Sequence, residues 1–284
     1  MEKHLTIIDF YLTFFGRLRR ADLMLHGEMS VATASRALSE YREQFPDSIN
    51  YDARLKTYFA ADDFVPAFSH SAQDALNVIA HGTIERFIGE LQKADLSTLP
   101  TLSSHLALNQ AQSLTTISQI TKALTLATPL DIHYYSASSE SKVRCVYPLA
   151  IFEATGTWYF RGYDVDKADF RIFRFSRVLS AKQTKLSVMV PPDKDWQQYV
   201  TLTLMPHPKH THPAALKMDL GLVDKPVCNI STRKALAGFS LRSLRVDASL
   251  QGVLSPIEYP LYLANRHELL TLASMAIAPG FNAT

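Results

Sequence analysis

Two neighbouring stretches decide the fold class of this chain: Trp158-Tyr159-Phe160-Arg161-Gly162-Tyr163-Asp164 and Phe170-Arg171-Ile172-Phe173-Arg174-Phe175-Ser176-Arg177-Val178. Both are rich in aromatic residues and a short polar turn joins them, which predicts two paired strands. Alternate side chains of a strand point to opposite faces, so Arg171 and Arg177 are expected on one face and Arg174 on the other. Guanidinium groups among aromatic rings suit carboxylates, phosphates or bases, and this predicts an anion-binding surface.

A simpler explanation of these arginines stays open. Arginines on strands often cover a sheet and pair with nearby acids, here Asp164, Asp166 or Asp169. Such surface pairs are common and individually weak, so their presence would indicate no ligand.

The same region resembles the WYL domain of bacterial transcription regulators. Besides the two strands, residues 133–136 and 144–149 stand where that family has its Tyr-x-Ser and its Arg followed by Pro-Leu. Phe160 replaces the leucine of the family name, which is a conservative change. The resemblance covers about residues 130–180 and implies a small SH3-like β-barrel with a ligand-sensing role.

The predicted ligand site lies on one rim of this barrel. The expected ligand is an anion, either a nucleotide or a nucleic-acid fragment, because the rim combines cationic, aromatic and hydroxyl groups. The predicted ligand-binding residues are Tyr135, Ser136, Arg144, Trp158, Tyr159, Arg171, Arg174 and Arg177, of which all but Trp158 and Tyr159 are expected on the rim, although the arginines need not all touch one ligand.

The N-terminal segment predicts a winged helix-turn-helix. Apolar periodicity marks helices over 3–15, 19–25 and 30–45, and two alternating segments form a hairpin over 49–60. The second helix is expected to stop at Gly27 in the left-handed conformation.

On this fold, the start of the third helix faces the base edges of the major groove, while arginines before the second helix and basic residues in the wing contact phosphates. A small helical domain with a solvated polar face is the alternative, and the slight excess of acids over bases in this segment favours it. The predicted contacts to double-stranded DNA are Arg17, Arg19, Arg20, Ser30, Ala32, Thr33, Arg36, Arg54 and Lys56.

The order of predicted helices and strands along the whole sequence indicates an α+β multidomain protein. The C-terminal part includes a strand over 199–205 and a helix around 233–244, and it resembles the extension that follows WYL domains, which implies an α/β dimerisation domain. The predicted domains are a winged helix-turn-helix (1–68), a helical linker with helices over 74–91 and 111–127 (69–129), a WYL barrel (130–190) and the C-terminal extension (191–284).

The N-terminal half also resembles the regulators encoded beside BREX and CBASS phage-defence systems, on residues 36–41, 50–52, 58 and 64–68. This resemblance implies a homodimeric repressor of a phage-defence operon that binds an inverted-repeat operator and senses a ligand through its WYL domain. Three alternatives stay open: an activator of the same architecture, a WYL module that itself grips RNA or single-stranded DNA, and an accessory subunit of a defence complex.

Composition excludes several other classes. The 284 residues include only two cysteines, Cys145 and Cys228, so no disulfide framework or zinc module is expected. The histidines at 207, 210 and 212 alternate with prolines, which favours a rigid loop over a metal site. No nucleophile elbow or phosphate-binding glycine loop is present, so we expect no enzyme and no cofactor. No stretch predicts a signal peptide or a membrane span, and we expect a cytoplasmic protein.

Overall fold

The chain folds into two compact units, residues 1–190 and 191–284. No helix in the described part of the chain is long and apolar enough to cross a membrane. The computed structural model describes residues 2–81, 113–136, 141–184, 186, 189–219, 221–222 and 224–282.

The first unit begins with a winged helix, and the three predicted helices and the hairpin are confirmed. A short strand that the sequence did not predict pairs with the second hairpin strand, so the sheet order is β1-β3-β2. The elements are α1 (Glu2–Phe15), β1 (Arg17–Leu18), α2 (Arg20–His26), α3 (Val31–Gln44), β2 (Ile49–Asp52) and β3 (Thr57–Ala60).

The expected left-handed stop at Gly27 is wrong, because its φ is −102°. The position requires glycine for another reason, because the neighbouring backbone leaves no room for a side chain. A Cβ at this position would lie 2.7 Å from the carbonyl oxygen of Leu23, which accepts the Gly27 N–H at 3.0 Å.

Two linker helices follow, α4 (Ala72–His81) and α5 (Leu114–Leu126). Ser113 caps α5, and Ala127 ends it in the left-handed conformation. The remainder of the predicted helix over 74–91 and the start of that over 111–127 lie outside the described residues. The apolar faces of α1 and α5 belong to one core that also includes the next sheet.

That sheet has five antiparallel strands in the order β7-β6-β5-β4-β8. The predicted SH3-like barrel is not supported, because the edge strands β7 and β8 do not pair with each other and the sheet stays open. A 3-10 turn, Phe175–Arg177, carries the chain from one edge to the other. The strands are β4 (Leu130–Tyr134), β5 (Lys142–Ala154), β6 (Thr157–Asp164), β7 (Asp169–Arg174) and β8 (Val178–Gln183).

The second unit has its own core and a four-stranded sheet in the order β10-β9-β12-β11. The predicted strand at 199–205 is confirmed, but Arg233 belongs to a strand and the predicted helix begins only at Ala237. The elements are α6 (Lys194–Gln197), β9 (Tyr199–Pro206), α7 (Pro213–Asp219), β10 (Cys228–Arg233), α8 (Ala237–Ser243), β11 (Val246–Asp247) and β12 (Leu261–Leu263).

Candidate DNA-binding and ligand-binding surfaces

One face of the first two turns of α3 is exposed and carries the predicted recognition residues. Ser30 is the N-cap: its Oγ accepts the Thr33 N–H at 3.1 Å and lies 2.8 Å from the Thr33 Oγ1. These two hydroxyls therefore fix the start of the helix. Ala32 and Arg36 are exposed and one turn apart, so they share a face of the helix. Arg36 is the cation that this face offers to a partner.

The opposite face of α3 is anchored in the core. Ala34, Leu38 and Tyr41 are buried, and the Tyr41 hydroxyl donates to the Asp9 carboxylate on α1 at 2.6 Å. Asp9 also accepts the backbone N–H groups of Ala67 and Phe68, at 2.9 and 3.3 Å. This anchoring keeps the recognition face of α3 turned toward solvent.

The three arginines around β1 and α2 are exposed, but each also makes a contact within the protein. Arg17 Nη2 donates to the Thr125 carbonyl oxygen at 3.2 Å, and Arg19 Nε to Thr57 Oγ1 at 3.2 Å. Arg20 Nη1 donates to the hydroxyl of Ser35 on α3 at 3.3 Å. The Arg17 contact places a cation at the C-terminal end of α5, where the helix dipole favours positive charge.

The wing presents two further cations. Arg54 and Lys56 are exposed in the turn between β2 and β3. Asp52 Oδ1 accepts the backbone N–H groups of Arg54 and Leu55, at 2.8 and 2.9 Å, which closes the turn. Lys56 has a φ of +50°, so the turn fixes where its side chain leaves the wing.

In the five-stranded sheet, Asp164 on β6 lies between two of the predicted ligand-binding arginines. Arg144 on β5 is buried and its Nη1 donates to Asp164 Oδ2 at 2.8 Å. Arg171 on β7 is 44% exposed, and its Nε lies 3.9 Å from carboxylate oxygens of Asp164 and Asp169. The ion-pair explanation that the sequence left open therefore describes how Arg171 is held in this structure, and Asp164 also holds Arg144.

This ion pair leaves polar atoms without partners. Arg144 Nε and Asp164 Oδ1 are both buried and make no hydrogen bond within the described part of the chain. Buried polar atoms are nearly always hydrogen-bonded, to protein or to ordered water. The Arg144–Asp164 corner therefore has unused donor and acceptor capacity beside the exposed Arg171.

The opposite face of the sheet holds a second set of aromatic and cationic groups. Arg174 lies on this face, opposite to Arg171, as strand parity predicts, and its Nη2 donates to Thr157 Oγ1 at 3.3 Å. The rings of Tyr159 and Phe152 are stacked, with their centroids 5.3 Å apart. The guanidinium of Arg161 lies over the ring of Phe170, 5.6 Å from its centroid.

The other predicted ligand residues occupy separate places. The Tyr135 N–H donates to the Arg177 carbonyl oxygen at 2.9 Å, which brings these two together. The strand parity expected for Arg177 is wrong, because this residue lies in the 3-10 turn after β7. Trp158 is 2% exposed and part of the core, and Ser136 is half-buried after β4. The predicted residues thus do not share one rim: Arg171 and Arg174 lie on opposite faces of the sheet, and Tyr135, Ser136 and Arg177 lie outside its strands.

Three family models match successive parts of the chain. Residues 1–81 match the BrxR transcriptional regulator winged helix-turn-helix domain, residues 115–183 the WYL domain, and residues 199–269 the BrxR transcriptional regulator C-terminal dimerization domain. The chain belongs to the WYL-domain transcriptional regulators of the BrxR type. The family predicted from the aromatic and arginine-rich strands is confirmed.

Curated relatives agree with this family. Over 252 residues the chain is 27% identical to the DNA-binding transcriptional repressor CapW of Stenotrophomonas maltophilia, with 87% of this chain and 83% of the relative covered. Over 288 residues it is 26% identical to CapW of Pseudomonas aeruginosa, with 95% and 91% covered. Proteasome accessory factor B/C of Arthrobacter aurescens, a solved structure, aligns at 16% identity with a TM-score of 0.27, covering 100% of this chain and 49% of that one.

Sequence reasoning missed Arg161 in this BrxR-type chain. It lies on β6 on the same face as Tyr159 and Arg174, two residues along from Tyr159. The alternation of β6 alone could have identified it. Its burial and its position over Phe170 became visible only in the folded sheet.

The histidine-rich loop of the second unit serves another purpose. The described residues contain no group of three or more His, Cys, Asp and Glu side chains placed to hold a metal. His207 is buried, with Nε2 3.1 Å from Asp247 Oδ2, and its Nδ1 accepts the Lys209 N–H at 3.2 Å. Both ring nitrogens are therefore committed within the fold.

Proposed function

We propose that this chain is a homodimeric DNA-binding transcriptional repressor of a phage-defence operon, with the five-stranded sheet as the sensor of an anionic ligand. One observation carries the DNA-binding part: the exposed face at the start of α3, with Arg36 in its second turn, stands in a winged helix whose wing adds Arg54 and Lys56. The CapW relatives named as repressors support the direction of regulation.

In this proposal α3 enters the major groove and Arg36 reads a base edge, while the wing cations contact phosphates. Two chains associate through residues 191–284, of which 199–269 match the dimerization domain. A dimer of this kind binds two half-sites of an inverted repeat about 34–36 Å apart, or a multiple of that distance.

The DNA-binding proposal is tested by fluorescence anisotropy with DNA taken from upstream of the chain's own gene. Arg36→Ala should weaken specific binding by about 10- to 100-fold, because a base-contacting arginine is removed. Arg42→Ala is the matched control, since Arg42 is exposed at the other end of α3 and should change little. Equal effects of the two substitutions, or none, would contradict the assigned docking of α3.

The sensor proposal rests on the Arg144–Asp164 corner. An incoming anion can bind the exposed Arg171, and so compete with the Asp164 carboxylate for this cation beside the buried Arg144–Asp164 pair. Binding alters DNA affinity only if the ligand prefers one arrangement of the protein over another. The sheet, α5 and α1 share one hydrophobic core, so a change of the sheet on ligand binding can reach the winged helix through these contacts.

The sensor is tested with full-length protein bound to its DNA, titrated with nucleotides and with short single-stranded oligonucleotides. At least one of these should change the DNA affinity of the wild type, and Arg171→Gln should abolish that response while leaving basal DNA affinity intact. Lys182→Gln, an exposed cation on β8, is the control. An unchanged response in Arg171→Gln would refute the assigned site.

A second candidate function has a specific observation in its favour. The stacked rings of Phe152 and Tyr159, together with Arg161 and Arg174, line one face of the sheet, and such faces bind single-stranded nucleic acid by stacking and charge. If the sheet itself grips RNA or single-stranded DNA, Tyr159→Ala should weaken that binding by several-fold and Arg36→Ala should not. The reverse pattern would leave nucleic-acid binding to the winged helix.

A further inference from the structure

A cavity of about 350 Å³ lies in the first unit, where the winged helix meets the last turn of α5. Its volume falls within the range of small-molecule sites. It is separate from both faces of the five-stranded sheet on which the proposed sensor depends. Residues of α1, β1, α2, β3 and α5 line it, among them Tyr11, Phe15, Arg17, Arg19, Asp22 and Thr125.

Tyr11 supplies an unused donor to this cavity. The residue is 8% exposed, and its hydroxyl makes no hydrogen bond to any described part of the chain. Burial, and secondly the nearby Asp22 carboxylate, raise the pKa of Tyr11 well above its ordinary value, so the hydroxyl keeps its proton. Because no described residue accepts a hydrogen bond from it, this hydroxyl can donate to a molecule bound in the cavity.

Two guanidinium groups add further donors. Arg17 and Arg19 each donate one side-chain hydrogen bond within the described chain, to Thr125 and Thr57, and so retain N–H groups that can turn toward the cavity. Asp22 is the acid in the lining, and its Oδ2 already accepts the Arg19 backbone N–H at 2.6 Å. The lining therefore has an excess of positive charge and hydrogen-bond donors.

We propose that this cavity binds a small phosphate ester of mononucleotide size, with its phosphate held by Arg17, Arg19 and the Tyr11 hydroxyl. Arginine forks match the geometry of phosphate oxygens, and the hydroxyl supplies a third donor. The ring of Phe15 and the remaining oxygen of Asp22 are placed to meet the rest of the molecule. Because Arg17 bonds the end of α5, the ligand bears directly on the junction between winged helix and sensor sheet.

The experiment is calorimetric titration of the full-length protein with AMP, with inorganic phosphate and adenosine as separate arms. AMP should bind, phosphate should bind more weakly, and adenosine should not bind. Tyr11→Phe should weaken AMP binding about tenfold, which is the loss of one hydrogen bond to a charged group. Tyr11→Phe removes a hydroxyl that has no described partner, so its thermal stability should equal that of the wild type and unfolding cannot mimic the loss.

Two further variants separate this site from the others. Arg19→Gln should weaken AMP binding more than Tyr11→Phe, while Arg171→Gln in the sensor sheet should leave it unchanged. Absence of saturable binding by any phosphate compound would overturn the proposal, as would AMP binding that depends on Arg171 and not on Tyr11. The last measurement titrates the protein with a non-specific DNA duplex. If Tyr11→Phe weakens duplex binding and AMP does not bind, the site is a DNA-phosphate contact and the small-ligand proposal fails. AMP binding is measured without DNA, so a loss of DNA binding in Arg36→Ala would leave this result unaffected.

Discussion

Replacing Asp9 by alanine should destabilise the first unit more than any exposed substitution. Asp9 lies in the middle of the apolar helix α1, is fully buried, and has four hydrogen-bonding partners. Its carboxylate accepts the Tyr41 hydroxyl at 2.6 Å, the N–H groups of Ala67 and Phe68, and His70 Nε2 at 2.8 Å. One side chain thus joins α1, the recognition helix and the segment that leaves the wing.

The expected magnitude follows from these partners. A buried donor without an acceptor costs about 1–3 kcal/mol, so four donors set an upper limit of about 12 kcal/mol. The space left by the carboxylate is polar and can admit water, which satisfies some of the donors. We therefore expect Asp9→Ala to lower the free energy of unfolding by about 3–5 kcal/mol, the usual cost of removing one partner of a buried ionic group.

The assay uses the distribution of tryptophan in the chain. Trp158 is buried in the first unit and Trp196 belongs to the second, so fluorescence in a Trp196→Phe background reports on the first unit alone. Urea unfolding then gives the free energy for that unit. Asp47→Ala, which removes an exposed acid, is the control and should stay within about 0.5 kcal/mol of the parent.

A double-mutant cycle shows whether the network is the cause. Tyr41→Phe alone should cost about 1.5 kcal/mol, because it removes one hydrogen bond to a charged acceptor. In the Asp9→Ala background the same change should cost nothing or stabilise, since the hydroxyl has then lost its acceptor. Additive effects, or an Asp9→Ala variant as stable as the control, would refute the assigned role of Asp9.

Two predictions concern the second unit. Burial raises the pKa of Asp247, but hydrogen bonds from the following loop and from His207 outweigh it and hold the pKa below its ordinary 3.8. The ionised carboxylate therefore stabilises the fold above pH 3.8, and this stability is lost as the pH falls through the lower pKa of the folded state. Asp247→Asn should make the free energy of unfolding of this unit, followed by fluorescence, depend less on pH in the acid range. In Gly238→Ala, the methyl group would lie 1.9 Å from the Ser274 carbonyl oxygen. Thermal unfolding should therefore show that the free energy of unfolding falls by about 3 kcal/mol. Gly221→Ala, with open space but a φ of +63°, should lose only about 1 kcal/mol, and equal losses would contradict the steric cause.

The elements of the winged helix were predictable because their signals are local. Apolar periodicity marks α1, and the cap of α3 is set by Ser30 and Thr33, three residues apart. The opposite orientations of Arg171 and Arg174 likewise follow from strand parity. The two-residue strand β1 was not predictable, because a segment of that length has no periodicity and exists only through its pairing with β3.

The sequence by itself therefore determined the family, the order of the elements and the types of residue offered to a ligand. Tertiary structure decided which partners those residues have. Arg17 bonds Thr125, 108 residues away, and Asp164 pairs with Arg144, 20 residues away. Whether the sheet closes was also decided there, since it depends on pairing between distant edge strands. Local patterns record the preferences of neighbours along the chain, whereas burial and charge pairing depend on residues that only the fold brings together.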